Sequence, residues 1–454
     1  MAQDDERNSL TGRLVRHARI GLDVGTAAAK IAGGRLIGSS DAAREGRLLV
    51  EALGGLKGPL MKVGQFLATI PDAIPAEWAA ELQKLQAHAP AMGWAFVRRR
   101  MSAELGPAWA SRFASFTHEP THAASLGQVH EAVAPDGRRL AVKLQYPDMA
   151  SAVEADLGQL SALFALMRRL RPQIDTREIA AEIGERIREE LDYGRERRHM
   201  RLYGLIHADD AGVRTPEPVE ELSTDRLLAM TWLDGRPLLA FKEAPQEIRN
   251  RIAAAMFRAW WHPFCRFGVI HGDPHLGNYA VFEEDGEAQG INLLDYGCVR
   301  LYPARFVEAV FEHYKGLLHE DRDRRVAAYE AWGFRGLSSE LVDTLDIWAR
   351  FLYGPLLTDR TRRIAEGVSA IEFGRKQAET VAEALRVHGP VTPPREFLFM
   401  DRAALGLGGV FIHLDAELNF HRLFEEAMDG FQRERLSERQ SAALACCDLR
   451  LSEK

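Results

Sequence analysis

The sequence predicts an α+β protein of two or three structural units, and three observations support that class. A chain of 454 residues can form a large core, and 46% hydrophobic with 27% charged residues is the composition of an ordinary globular protein. Two stretches, 116–144 and 279–294, have strand-like apolar runs with Asp-Gly turn signals. Much of the remaining chain has apolar residues at helical spacing, such as Phe306, Val310 and Tyr314.

Composition and charge exclude several classes of function. A net charge of -7 gives no basic footprint for nucleic acid, so no nucleic-acid partner is expected. The four cysteines have neither metal-ligand spacing nor the look of a disulfide framework, which favours a reducing compartment. There is no secretory-signal pattern, and no apolar run approaches the roughly 20 residues that a transmembrane helix needs. We therefore expect a soluble, cytoplasmic protein that is at most peripheral to a membrane.

Changes of pattern divide the chain into five segments. In the first, Arg13, Arg16 and Arg19 lie near apolar residues, so a basic helix on a membrane surface is the alternative to a solvated tail. The polar stretch from Arg433 onwards is expected to fray. The segments are a polar N-terminal tail (1–48), a helical extension (49–115), a strand-containing segment with inserted helices (116–233), a mostly helical segment (234–437) and a polar C-terminal tail (438–454).

Two acidic clusters separated by a predicted hairpin make residues 270–297 the most informative stretch. Asp273, in His-Gly-Asp, is followed five positions later by Asn278, and Asp295 begins an Asp-Tyr-Gly after an apolar run. Hard oxygen ligands suit Mg²⁺, which proteins usually hold with one or two carboxylates plus substrate phosphates. Each cluster alone is also explained by a turn or a strand end. Their order and separation together predict a magnesium site.

The same spacing is that of the catalytic and metal-binding loops of protein kinases, and three further features resemble parts of a nucleotide site. The small residues Ala123-Ala124-Ser125 would let backbone amides approach phosphates closely. Lys143, in an apolar run, resembles the strand lysine that pairs with nucleotide phosphates, although a lysine in a strand can also face solvent. Such a lysine needs a glutamate partner, which the charged helix around 188–196 would supply. At the end of a later strand, Met230 is expected beside an adenine, whose edge would meet the backbone of 231–233.

Residues 50–430 together resemble the UbiB/ADCK family of atypical, protein-kinase-like proteins linked to ubiquinone biosynthesis. The most diagnostic match is Lys62-Val63-Gly64-Gln65, which fits the K-x-G-Q signature of that family. Glu190-Leu191-Asp192 fits its E-x-D motif. Two departures are modest: Tyr296 replaces the usual Phe, and Leu276 replaces a Pro.

The resemblance implies a bilobal protein-kinase-like fold whose K-x-G-Q helices cross the nucleotide site. It implies ATP or ADP and Mg²⁺ as cofactors, and an activity that supports ubiquinone or related isoprenoid-lipid biosynthesis. Ubiquinone-biosynthesis proteins and a peripheral membrane or isoprenoid lipid are the implied partners. The implied roles are catalytic for Asp273, Lys143 and Glu196; nucleotide-binding for Ala123, Ala124, Ser125, Lys143, Met230, Trp232 and Leu233; metal-binding for Asn278 and Asp295; and regulatory for Lys62, Gln65, Glu190 and Asp192.

Two other functions are compatible with parts of this pattern. Small-molecule phosphotransferases of the aminoglycoside or choline kinase type share the catalytic loop and a later Asp, but they lack K-x-G-Q and E-x-D. A non-catalytic scaffold would keep Lys143 and Asp295 for nucleotide binding while turnover stayed at background. Since every polar catalytic position is present, the sequence favours an enzyme.

Overall fold

The structure is a computed structural model, and it describes two compact units. The described residues are 92–451, except 124–125, 148, 155–156, 159–160, 162–164, 166–176, 274, 365–379, 382, 386 and 388–393. The first unit comprises the described residues of 92–195 and 218–232, and the second those of 196–217 and 233–451. Lys62, Gln65, Ala124 and Ser125 lie outside the described residues.

Helices and short strands are both present, so the predicted α+β class is confirmed. The helices are α1 (Trp94–Leu105), α2 (Arg177–Glu190), α3 (Tyr193–Ile206), α4 (Gln246–Phe267), α5 (Ala304–Leu318), α6 (Arg322–Trp332), α7 (Ser339–Tyr353), α8 (Arg395–His413), α9 (Phe420–Met428) and α10 (Arg433–Cys446). The strands are β1 (Ser115–Phe116), β2 (His122–Ala123), β3 (Gly127–Val133), β4 (Arg139–Gln145), β5 (Val213–Arg214), β6 (Leu227–Thr231), β7 (Arg236–Pro237), β8 (Val269–His271), β9 (Tyr279–Glu284), β10 (Glu287–Leu293) and β11 (Val299–Leu301).

The first unit is built on an antiparallel sheet in the order β1-β3-β4-β6, with β2 also paired to β3. Alternate residues of β4 point to opposite faces, so Leu140, Val142 and Leu144 are fully buried while Lys143 is not. The buried residues form one hydrophobic cluster with α1, whose Val97 and Met101 are also fully buried. This cluster holds β4, and with it the predicted phosphate-binding lysine, in a fixed position.

The second unit contains a four-stranded sheet in the order β5-β10-β9-β7 and a two-stranded pair of β8 with β11. The turn between β9 and β10 is the predicted hairpin: Glu284 pairs with Glu287, and Asp285 and Gly286 have φ of 52° and 81°. Positive φ at both central positions is the conformation that Asp-Gly turns adopt most readily. The turn fixes the register of the two strands that carry the acidic clusters.

Helix α4 is the central helix of the second unit and packs against β8, β10, α9 and α10. Its buried residues recur every three or four positions, among them Ile252, Met256 and Trp260. The helix ends at Gly268, whose φ of 63° is left-handed and whose Cα lies so close to the Tyr302 carbonyl that a Cβ would be 2.4 Å from that oxygen. Only glycine fits there, and it delivers the chain directly into β8.

The expectation that the chain frays from Arg433 onwards is wrong, because that residue begins helix α10. Leu436, Ala443 and Leu444 on this helix are buried, and the Gln440 amide nitrogen donates to the Phe267 and Tyr302 carbonyls at 2.7 and 2.8 Å. The apolar positions are few, but they occupy one face, which the overall polarity of the segment conceals. Among the described residues, no helix is both long and apolar enough to cross a membrane.

Candidate active site

Two antiparallel strand pairs bring the two acidic clusters together in the second unit. β8 pairs with β11 so that His271 lies opposite Val299, and β9 pairs with β10 along its length. The second pairing is extended by one more bond, in which the Leu294 N–H donates to the Asn278 carbonyl at 3.0 Å. The loop after β8 and the loop after β10 are therefore held side by side by the strand pairs that flank them.

Asp273 is held by neutral hydrogen-bond donors. The Asn278 side-chain nitrogen lies 3.2 Å from both the carbonyl oxygen and the Oδ2 of Asp273, and the Tyr279 hydroxyl donates to the same carbonyl at 3.2 Å. The His275 backbone N–H donates to Oδ1 at 3.3 Å. Among the described residues, no lysine or arginine nitrogen lies within 4.0 Å of this carboxylate. The side chain is thus oriented without its charge being cancelled.

His271 links the two loops through both of its ring nitrogens. Its Nε2 lies 2.6 Å from the Asp295 carbonyl oxygen, and its Nδ1 lies 3.4 Å from the Asp273 backbone N–H. A carbonyl can only accept and an N–H can only donate, so the two contacts require the tautomer protonated at Nε2. The ring is 1% exposed, which makes it a buried crosslink between the two acidic clusters.

The donor set of these loops fits Mg²⁺ shared with a phosphate ligand. Because the Asn278 nitrogen is used on Asp273, its amide oxygen is the atom that remains to coordinate a cation. The Asp295 carboxylate begins the neighbouring loop, where its Oδ1 accepts from the Gly297 N–H at 3.0 Å. Among the described residues there is no cluster of three or more His, Cys, Asp or Glu side chains that could form a metal cage. One carboxylate, with the Asn278 amide oxygen beside it, is compatible with Mg²⁺, which proteins usually hold with one or two carboxylates plus substrate phosphates.

Helix α3 braces the second loop from within the same unit. The His199 Nδ1 lies 3.2 Å from the Tyr296 carbonyl, and the Tyr203 ring lies 5.4 Å from the Tyr296 ring. Glu196, one turn earlier on the helix, is only 2% exposed. Burial raises the pKa of the Tyr296 hydroxyl well above its usual value, and negative charge at Asp295 and Glu196 adds to that effect. The hydroxyl therefore stays protonated and donates to the Leu293 carbonyl at 2.9 Å.

In the first unit, Lys143 lies next to an aromatic ring. Its ammonium is 5.1 Å from the centroid of Tyr193, a cation–π distance. The same tyrosine restricts Gly127, where a Cβ would lie 2.8 Å from the Tyr193 hydroxyl and 2.3 Å from the Leu144 carbonyl. A glycine is therefore required at position 127, where β3 passes close to β4 and to this ring.

The other predicted nucleotide-binding residues of the first unit lie on the same sheet. Ala123 is exposed and pairs with Gln128, so β2 lies antiparallel beside the start of β3. Met230 is buried in β6, and the Trp232 N–H donates to the Arg139 carbonyl at 2.9 Å. Because the Trp232 backbone N–H is used in this hydrogen bond, it is not available to donate to an adenine. The predicted nucleotide contact of Trp232 is therefore limited to its carbonyl or its ring. Leu233, partly buried, is the first residue of the second unit after the strand.

The E-x-D segment has a structural role that the sequence analysis did not predict. The Asp192 Oδ1 accepts from the Arg195 N–H at 2.7 Å, which is the hydrogen bond of a helix N-cap at the start of α3. Glu190 is the last residue of α2, and the Leu191 carbonyl accepts from the buried Gln145 side chain at 3.1 Å. The motif therefore joins two helices to the end of β4, whatever its regulatory contribution.

Several supporting residues were not identified from the sequence. Tyr279 donates to the Asp273 carbonyl and His199 contacts the Tyr296 carbonyl, and no motif marks either residue. A signal was present for α3, where Glu196, His199 and Tyr203 recur at the three- to four-residue spacing of one helix face. For Tyr279 the only signal is its position directly after Asn278.

Comparisons with known proteins show the family of the chain. The model of the ABC1 atypical kinase-like domain matches residues 84–329, more than half of the chain. The chain is 27% identical over 381 residues to atypical kinase COQ8B, mitochondrial, of Rattus norvegicus, a match that covers 83% of this chain and 71% of that protein. It is also 27% identical over 408 residues to probable protein kinase UbiB of Xanthomonas euvesicatoria, covering 87% of this chain and 71% of that protein.

A solved structure shows the same fold. The complex of Rv3197 with erythromycin from Mycobacterium tuberculosis has a TM-score of 0.60 and 27% sequence identity, and the match covers 85% of this chain and 96% of that one. The chain spans between 51% and 71% of the length of the first curated relatives that it matches. These matches confirm the kinase-like fold and the UbiB/ADCK resemblance that the motifs predicted.

Proposed function

We propose a function from one premise: the chain belongs to the ABC1 atypical kinase-like family. It binds ATP or ADP with Mg²⁺ and transfers or hydrolyses the terminal phosphoryl group of ATP. The observation that carries this proposal is the pair of clamped loops, in which His271 joins Asp273 to the backbone of Asp295. Phosphoryl transfer needs positioned oxygen ligands and charge stabilisation more than a covalent nucleophile, and these loops supply positioned oxygens.

Asp273 is proposed to orient the attacking oxygen of a hydroxyl group or water. Its carboxylate is partly exposed and unneutralised among the described residues, while two donors fix its direction and the Tyr279 hydroxyl holds the Asp273 carbonyl. Asn278 and Asp295 would hold Mg²⁺, which would neutralise charge on the phosphates when bound. The hydrogen bonds of Asn278 to Asp273 would hold the metal-binding amide of Asn278 at a fixed distance from the Asp273 carboxylate.

The nucleotide itself is proposed to bind through residues of the family motifs. Lys143 would hold the phosphates and Glu196 would orient it; Ala123, Ala124 and Ser125 would cover the phosphates. Met230 and Leu233 would contact the adenine, with Trp232 contributing its carbonyl or its ring. Lys62 and Gln65, with Glu190 and Asp192, are proposed to regulate access. The support for these roles is the sequence resemblance, together with the rigid sheet that carries Lys143 and Met230.

The biological context is proposed from the relatives. An atypical kinase of this family would support ubiquinone or related isoprenoid-lipid biosynthesis, together with other proteins of that pathway. It would act in the cytoplasm, at the periphery of the inner membrane, where an isoprenoid lipid is accessible. Stimulation of nucleotide turnover by a membrane that contains such a lipid is the direct consequence.

The test is phosphate release from Mg²⁺-ATP by the purified full chain, with and without liposomes and a ubiquinone-precursor mimic. Binding of Mg²⁺-nucleotide is measured in parallel for the wild type and for Asp295→Asn. We expect release that lipid stimulates, and loss of Mg²⁺-dependent nucleotide affinity in the variant. Unchanged Mg²⁺-ATP affinity in Asp295→Asn would contradict the metal assignment.

The same assay separates the two other functions. Stoichiometric phosphate transfer to a hydrophilic amine or alcohol would identify a small-molecule phosphotransferase. Nucleotide binding without release under any condition would identify a scaffold. The hydrogen bonds of His271, Asn278 and Asp295 support an enzyme over a scaffold, because they fix the direction of polar groups in the two loops.

A further inference from the structure

Four basic side chains lie on two packed helices where α4 ends. His262 and Arg266 are one turn apart on α4, and Arg435 and Arg439 are one turn apart on α10. The Gln440 side chain holds the two helices together by donating to a carbonyl of the α4 terminus at 2.7 Å. We refer to these four residues as the arginine cluster.

Phe267 lies beside two members of the arginine cluster. The Arg439 guanidinium carbon is 5.6 Å from the centroid of the Phe267 ring, a cation–π distance, and the His262 ring centroid is 6.4 Å from it. Arg266 is the adjacent residue on the chain. One basic side chain from each helix therefore lies near the same aromatic ring.

The arginine cluster carries uncompensated positive charge. Among the residues that the structure describes, no carboxylate lies within 4.0 Å of Arg266, Arg435 or Arg439. The contrast is Arg433 on the same helix, which pairs with Glu308 at 3.1 Å and with Glu434 at 3.4 Å. This difference is unexpected in a chain whose net charge is -7 and in which carboxylates are abundant.

Burial and the positive charge of the cluster lower the pKa values of two of its members, Arg439 and His262. Burial lowers the pKa of Arg439, and the cations Arg266 and Arg435 lower it further. Burial also lowers the pKa of His262, with Arg266 and Arg439 again acting in the same direction and Asp210 opposing them. A guanidinium that is partly buried among like charges is normally paired with an anion.

The helix itself cannot supply the missing negative charge. The carboxyl end of α4 has about half a negative charge from its dipole, which falls off within the last turn, against three guanidinium groups. The Phe267 ring stabilises one cation only. An external anion is the remaining source of compensation.

We propose that the arginine cluster binds a phosphate group. Guanidinium groups recognise phosphate through paired N–H donors, and Arg439 is pre-oriented by its ring contact. The group would belong either to a soluble phosphate compound or to the headgroup of an anionic phospholipid. None of the four residues is part of the proposed nucleotide site, so this binding is separate from turnover.

The test compares two double variants of the full chain that carry the same net charge. Arg435→Gln/Arg439→Gln removes two cluster cations, whereas Arg433→Gln/Arg422→Gln removes two arginines that pair with carboxylates. One arm measures pyrophosphate binding by calorimetry at low salt. The other measures cosedimentation with vesicles of phosphatidylglycerol and phosphatidylcholine, against phosphatidylcholine alone.

In at least one arm the cluster variant should bind about tenfold more weakly than the control variant, since each charge-assisted bond to phosphate is strong. The single variant Arg435→Gln, at an exposed position, should show a smaller loss in the same arm. Loss in the vesicle arm alone identifies a lipid headgroup, and loss in the pyrophosphate arm identifies a soluble phosphate. Equal binding by both double variants in both arms would overturn the proposal. Mg²⁺-nucleotide affinity, measured in all variants, should not change, which separates this site from the proposed function.

Discussion

Two aspartates of the second unit, Asp273 and Asp346, are held in opposite ways. Asp346 on α7 is 6% exposed and is neutralised by Arg325, whose Nε lies 2.8 Å from its Oδ2; the Tyr329 hydroxyl donates to its Oδ1 at 3.1 Å. Asp273 is partly exposed and receives only neutral donors. Arg325 is itself anchored to the Gly316 carbonyl at 3.0 Å.

The difference separates a carboxylate that stabilises the fold from one that is available to a ligand. A buried charge must be paired, because desolvation is costly, and the pair then contributes to a fixed helix arrangement. A carboxylate that is to act on phosphates or on a nucleophile must keep its charge and be fixed only in direction. Substitutions at the two sites should therefore affect different measurable quantities.

The largest effect on activity is expected for Asp273→Asn. Without the carboxylate, the attacking oxygen loses its orienting base, and phosphate release should fall by about 100-fold or more. The free energy of unfolding should change by less than about 1 kcal/mol, since no ion pair is lost. Initial rates and denaturant unfolding of the full chain measure both quantities. A large loss of stability with normal turnover would show that Asp273 has a structural role and not a catalytic one.

The largest effect on stability is expected for Asp346→Asn. This change removes the buried carboxylate that pairs with Arg325 and leaves it the exposed Glu320 at 4.0 Å, which should cost about 3 to 5 kcal/mol of unfolding free energy. Turnover per folded molecule should remain normal. The matched double variant Arg325→Met/Asp346→Leu removes both charges and should be less destabilised than the single one. If the single variant loses less than the double, the ion pair is not the stabilising contact.

The region around the Arg325–Asp346 ion pair should also make stability depend on pH, through the nearby His313. Burial lowers the pKa of His313 to about 3, and the Arg325 charge acts in the same direction; neither ring nitrogen has a hydrogen-bond partner among the described residues. The unfolded chain takes up a proton below a pKa of 6.5 that the folded chain cannot. Stability is therefore complete above pH 6.5 and is lost as pH falls towards 3.

Replacing this histidine with phenylalanine should remove that pH dependence. Between pH 6.5 and 5 the wild type should lose about 2 kcal/mol more than His313→Phe, because each pH unit below the unfolded pKa contributes 1.36 kcal/mol. Burial also lowers the pKa of His207, to about 4. His207 therefore makes the same pH-dependent contribution to the stability of both proteins, and that contribution cancels when the two are compared. Parallel curves would show that His313 is not held neutral.

How much could be predicted from the sequence differs between the two aspartates. Asp273, Asn278 and Asp295 lie within 23 residues, and their spacing alone predicted one site together with the hairpin between them. Arg325 and Asp346 lie 21 residues apart on two helices and match no motif, so their pairing follows only from how α6 and α7 pack. Charge patterns on helices normally indicate solvated faces, and burial cannot be deduced from them.

The same limit explains what was missed around the site itself. The bonds of His199 to the Tyr296 carbonyl and of Tyr279 to the Asp273 carbonyl are made to backbone atoms, which carry no sequence signal. The helix α10 was missed because its buried face comprises only a few residues of a polar segment. Motifs identify groups that must be chemically specific, whereas the residues that orient them can be replaced by many other side chains.

The smallest predicted effect tests this orienting role at Tyr279. Tyr279→Phe removes the hydroxyl that donates to the Asp273 carbonyl but keeps the buried ring, so kcat should fall by about threefold to tenfold, equivalent to one hydrogen bond of roughly 1 kcal/mol. KM for ATP should stay unchanged, because this hydroxyl is proposed to act only through Asp273.

Tyr203→Phe is the matched control for that substitution. Tyr203 belongs to the same ring cluster, 6.2 Å from His271, but its buried hydroxyl has no hydrogen-bond partner among the described residues. Its removal should leave kcat unchanged and should not lower the free energy of unfolding. If the two variants lose kcat equally, the effect comes from packing of the aromatic cluster. If only Tyr279→Phe loses kcat while KM is constant, a single backbone contact orients Asp273 for the transition state.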